Sequence, residues 1–161
     1  MKIARRAEEP RWSGLVYAMN RSDKLLEQTL ALDGEAVARE METIHGRTES
    51  LLCYDNEHAL AGTLLMAFYG AKKYYERPIV EFSSGKGVAN IAYLPKQHEN
   101  LPALVVELRW DQSGPGAIWQ IWNKEYAAWV RGYRGDILLV GISYNQTLKK
   151  HTCVIEAWRK E

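Results

Sequence analysis

The spacing of apolar positions changes once along the chain. Up to about residue 70 they recur at intervals of three and four, the period of an amphipathic helix. Leu25, Leu26, Leu30 and Leu32 mark a short helix that Ser22 can cap, after a lead-in at 1–14 that looks flexible. Val37, Met41 and Ile44 stand at i, i+4 and i+7 of a second helix. Asp33 is its cap, Glu35 lies in its first turn and Gly46 ends it. Leu60, Leu64, Leu65 and Phe68 define a third, starting at Asp55 and closing at Gly70.

Beyond residue 70 the pattern becomes that of strands. Segments 74–82 and 88–94 are predicted to pair through the turn-rich run Ser83-Ser84-Gly85-Lys86-Gly87. A loop holding Pro95 and Pro102 leads to a third strand at 103–110. Ser113-Gly114-Pro115-Gly116 breaks it and sets up a helix from 117 to about 133. The stretch 137–143 is mostly apolar, as expected of an internal strand, and 152–158 reads as an edge strand. The predicted architecture is α/β (α+β): a mixed β-sheet flanked by helices, with an N-terminal helical lead-in at 1–52 packed on a core formed by 53–161.

Composition narrows the class. At 47% hydrophobic and 25% charged residues, with six Trp and nine Tyr, the 161-residue chain suffices for one well-filled domain. Lys and Arg total 21 against 20 Asp and Glu, a net charge of +1, so no global field draws in a polyanion. Any nucleic-acid binding needs a local basic patch, such as Arg5-Arg6-Arg11, Lys72-Lys73-Arg77 or Lys149-Lys150; each equally suits a solvated face. Cys53 and Cys153 form no CxxC, and the four histidines have no zinc spacing with them, which fits reduced thiols in a cytoplasm. The longest apolar run, 59–71, is well short of the roughly 20 residues needed to cross a bilayer. No membrane is expected.

The third strand holds the candidate chemistry. In Leu104-Val105-Val106-Glu107-Leu108-Arg109-Trp110, alternation sends Leu104, Val106, Leu108 and Trp110 to one face. Glu107 and Arg109 share the other. Two charges on such a strand call either for an ion pair at a sheet edge or for a ligand.

These residues, taken with three other segments, resemble the PD-(D/E)xK phosphodiesterases, and more narrowly the nuclease-like domain at the C-terminal end of bacterial AAA-ATPase-like proteins. Glu107-Leu108-Arg109 corresponds to the family's E-x-K, and Ala117 to Tyr126 (AIWQIWNKEY) to its A-x-x-Q-I-x-x-K-x-Y. Gly141-Ile142-Ser143-Tyr144 matches its G-[VI]-x-[FY] strand. Ser84-Gly85-Lys86-Gly87-Val88-Ala89-Asn90 stands where the family has a Gly-rich turn and its metal-binding Asp, and Asn56-Glu57 where it has a helical Glu.

The resemblance implies a restriction-endonuclease-like sheet with Glu57, Asn90 and Glu107 as the metal positions and Arg109, Gln120 and Lys124 as the catalytic ones. In that superfamily the acids hold Mg²⁺, which favours hard oxygen ligands and lowers the pKa of a bound water, and the Lys orients that water. Here Asn90 removes one negative charge. Arg109, which never deprotonates, can neutralise a phosphate but is a poor base. The Tyr-His that follows the helical Glu in many relatives is Leu60-Ala61. The resemblance therefore implies a degenerate, non-catalytic or impaired domain serving as a binding or interaction module. The alternatives are an active Mg²⁺-dependent DNA or RNA phosphodiesterase, in which Lys124 takes over the lysine's charge, and an oligomerisation domain.

The last alternative rests on the predicted helix from 117. Gln120, Lys124 and Arg131 share a narrow polar strip, while Trp119, Trp122, Tyr126, Trp129 and Tyr133 form an aromatic stripe beside Ile118, Ile121 and Ala128. The apolar arc covers roughly 220°, against the ~100° a surface helix needs. Either the N-terminal helices cover the stripe, or Trp119, Trp122 and Trp129 meet a second copy or another protein.

Overall fold

A computed structural model of the chain describes residues 10–48, 56–83, 87–111 and 133–158. Three α-helices come first: α1 (Pro10–Leu30), α2 (Gly34–Thr48) and α3 (Glu57–Ala67), followed by a 3-10 turn at Tyr69–Lys73. Five strands follow: β1 (Ile79–Ser83), β2 (Val88–Tyr93), β3 (Ala103–Trp110), β4 (Ile137–Asn145) and β5 (Lys150–Trp158). They form one mixed sheet in the order β1-β2-β3-β4-β5, antiparallel except for the parallel β3–β4 pair. The fold is α/β, as the pattern predicts.

Local chemistry accounts for several helix ends. Asp33 caps α2, its Oδ1 accepting the Ala36 N–H at 3.1 Å, and Asn56 caps α3 by accepting from Ala59 N at 3.0 Å. Pro10 suits the first turn of α1, where an N–H has no helical partner. Ser22 is not a cap, and 10–14 are not lead-in. The Ser22 hydroxyl lies buried inside the 21-residue α1, donating to Met19 O and accepting Gly70 N–H, both at 2.9 Å. A hydroxyl that satisfies a backbone carbonyl within its own helix does not interrupt it.

Gly46 does not end α2, which continues to Thr48. The third helix is shorter than its apolar pattern, stopping at Ala67 before the 3-10 turn; Tyr75 makes only an isolated bridge to Pro95, so β1 begins at Ile79, just past Pro78. The predicted helix over 117 to about 133 lies outside the described residues, except that Tyr133 itself is not helical.

The sheet register sorts the strand residues into two faces. One carries Ala89, Ile91, Tyr93, Leu104, Val106, Leu108, Val140 and Ile142, which join Leu25, Leu26, Val37, Met41, Ile44, Leu60 and Leu64 in a single apolar core. The three helices therefore share the core of the sheet. The opposite face has a smaller apolar cluster of Ala103, Val105, Ile137 and Leu139, at the end where β3 and β4 begin. Where they end, that same face becomes polar.

Candidate functional site

Strand pairing builds the polar end. Asn90 of β2 is the direct partner of Glu107 of β3, and Glu107 is the partner of Gly141 of β4. Partners across a pair project to the same face. Arg109, two residues further along β3, shares it. All three are buried: Glu107 is 0% exposed, Asn90 and Arg109 6% each. Gly141 puts no side chain beside Glu107 on the β4 side.

The end of β3 is firmly held. Trp110 N–H donates to Gly87 O at 2.8 Å, and Asp111 N–H to Tyr144 O at 2.7 Å. Asp111 Oδ1 in turn accepts Gln146 N–H at 3.1 Å. Gly87 (φ 67°) sits in the left-handed region where glycine carries no steric penalty, and it opens β2 immediately before the site.

The structure thus brings Asn90, Glu107 and Arg109 together on one face. It does not bring Glu57 into the same row. Glu57 opens α3, whose Leu60, Ala61, Leu64 and Ala67 pack on the opposite face, and its recorded neighbour is His58 Nδ1 at 3.7 Å. The apolar stripe of α3 decides which side of the sheet the helix covers. Gln120, Lys124, Trp119, Trp122 and Trp129 lie outside the described residues. Of the basic patches, Lys73 pairs with Asp23 at 2.9 Å and Lys72 lies over the Tyr69 ring, while Lys149 and Lys150 are exposed at the β4–β5 turn.

One residue of this face was missed from the sequence. Glu81 of β1 is the direct partner of Asn90, so Glu81, Asn90 and Glu107 form a row across three adjacent strands. The alternation Ile79-Val80-Glu81-Phe82 held the signal, since Val80 packs on the helix-covered core and Phe82 stacks on His58 of α3 at 4.0 Å. Glu81 therefore projects to the other side.

The row offers only hard oxygen donors, which suits Mg²⁺ in kind. The two strand positions that hold the metal in the resembling family supply one carboxylate and one neutral amide. Among the described residues no three of His, Cys, Asp and Glu cluster as a metal site. The chain matches no protein-family model and no curated protein. Among the described residues no helix is long and apolar enough to cross a membrane.

A second buried polar cluster joins α2 to β5. The His151 backbone N–H donates to Glu42 Oε1 at 2.7 Å, and its Nδ1 lies 3.1 Å from Glu42 Oε2. The His45 and Tyr144 rings close around it, with centroids at 5.6 and 4.7 Å. Burial lowers the His151 pKa; the Glu42 carboxylate opposes that shift and His45 adds to it. This cluster lies on the helix-covered face, in the other layer from Glu107.

Proposed function

We propose that the chain is a degenerate PD-(D/E)xK nuclease-like domain that has kept the sheet and lost hydrolysis, and that it acts as a binding or interaction module. The reading is carried by the position of the two altered residues. Asn90 and Arg109 fall on the same buried face as Glu107, one across the β2–β3 pair and the other two residues along β3. Each change removes something metal-assisted phosphodiester hydrolysis uses. Asn90 gives an oxygen without charge, and Arg109 gives a permanent cation that cannot take a proton from water. What they leave is a carboxylate, a neutral amide and a permanent cation side by side on one buried face.

The test is reversion. Asn90→Asp with Arg109→Lys, in one protein, is expected to give Mn²⁺-dependent cleavage of plasmid or single-stranded DNA that the parent lacks. Either change alone should do far less, since members of one catalytic unit act non-additively. Robust metal-dependent cleavage by the parent, abolished by Glu107→Ala, would instead establish an active phosphodiesterase.

A further inference from the structure

We propose that the contact between α2 and β5 is an acid-sensitive latch: protonation of His45 and His151 around the carboxylate of Glu42 releases the helix from the strand. The inference is independent of the nuclease-like reading, because the latch lies on the helix-covered face and not in the Glu107 row.

The geometry of the cluster carries it. Glu42 fastens the two elements with both oxygens, Oε1 accepting the His151 backbone N–H at 2.7 Å and Oε2 lying 3.1 Å from His151 Nδ1. The His151 side chain is 0% exposed. His45, three residues along α2 from Glu42, places its ring centroid 5.6 Å from that of His151 and 5.4 Å from that of Tyr144 on β4. Two imidazoles therefore share one carboxylate. With both neutral, the joint holds a single negative charge that is hydrogen-bonded to the strand. With both protonated, the carboxylate offsets one positive charge and leaves the other uncompensated beside a side chain that water does not reach.

The surrounding charges do not supply the missing anion. Glu35 and Arg39 of α2 and Lys150 of β5 line a cavity of about 520 Å³ together with Glu42, His151 and Cys153. Those three are exposed, and one acid against two bases adds a further positive charge. Burial lowers the His151 pKa, with Glu42 opposing and His45 adding to the shift. The closed joint thus binds fewer protons than the open one, and acid favours opening from about pH 6.5 downward. Cys153 follows two residues along β5, where a Cβ on Gly34 of α2 would fall 2.4 Å from its backbone oxygen. Its thiol is buried while the joint is closed, so its reactivity reports release of the helix.

The test is labelling of Cys153 with 4,4′-dithiodipyridine in the whole chain carrying Cys53→Ser, at about pH 7.5 and 5.5. Each rate is divided by that of the urea-unfolded chain at the same pH, which removes the reagent's and the thiol's own pH dependence. On acidification the normalised rate is expected to rise about tenfold or more, the effect of one pKa unit between closed and open states. The rise should not change with urea below the unfolding transition, as a local opening requires. His45 is half-buried, so His45→Gln should keep its thermal melt near neutral pH. By leaving one imidazole to one carboxylate, it should cut the rise by about a factor of three or more. An equal normalised rate at both pH values, a rise that tracks urea as global unfolding does, or a His45→Gln profile that overlays the parent's overturns the latch. None of these outcomes touches the degenerate-nuclease reading, which falls only to cleavage by the parent.

Discussion

Removing the Glu42 carboxylate should loosen the joint between α2 and β5 by a calculable amount. β5 is an edge strand, and Glu42 Oε1 accepts its His151 N–H at 2.7 Å. A hydrogen bond to a charged group contributes about 1.5–3 kcal/mol. The Glu42 side chain is 32% exposed, so solvent competes and the lower end applies. Glu42→Ala should therefore cost about 1.5 kcal/mol near neutral pH, a drop in Tm of about 3–6 °C for a chain of this size. Glu42→Gln, which keeps an acceptor, should cost less.

The same substitution changes the pH dependence. Burial sets the folded-state pKa of His151 below its ordinary value, and Glu42 works against that shift. Between the lowered value and about 6.5 the unfolded chain binds more protons, so stability is complete above about pH 6.5 and declines as pH falls. Without Glu42 the His151 pKa drops further and this decline extends to lower pH. His45 of α2 adds to the penalty on the protonated form. Urea melts of parent and variant at about pH 7.5 and 5.5 read both effects across this window. A variant within about 0.5 kcal/mol of the parent at both values would refute the joint.

Two further outcomes are expected. A Cβ on Gly34 would lie 2.4 Å from the backbone oxygen of Cys153, so Gly34→Ala should force α2 off β5 and cost about 1–3 kcal/mol in a urea melt; an unchanged midpoint would show that the two elements separate freely. Burial pushes the Cys153 thiol up to about 12. In a Cys53→Ser background it should react with a disulfide reagent near neutral pH far more slowly folded than unfolded, and equal rates would show that the thiol is not shielded.

Much of this architecture is written in short-range pattern. The 103–110 strand was legible residue for residue, because Leu104, Val106 and Leu108 alternate with Glu107 and Arg109 and the period of a strand does not depend on its neighbours. The cap Asp33 acts over three residues, and the core positions Val37, Met41 and Ile44, all 0% exposed, follow from helical spacing alone. Ser22 misled for the same local reason: a hydroxyl before an apolar run looks like a cap until a glycine N–H 48 positions away is found bonded to it.

Tertiary structure decided what sequence separation hides. Asn90 and Glu107 are 17 positions apart and Glu107 and Gly141 are 34 apart, yet each pair is aligned residue to residue, and a slip of one position would have sent Asn90 to the opposite face. Register likewise put Glu81 beside Asn90, and the apolar side of α3 decided which face of the sheet the helix covers. Single-strand alternation says which residues of a strand share a face. Only hydrogen-bonded pairing between strands, chosen by burying the sheet's apolar face against the helices, says which residues of different strands meet there.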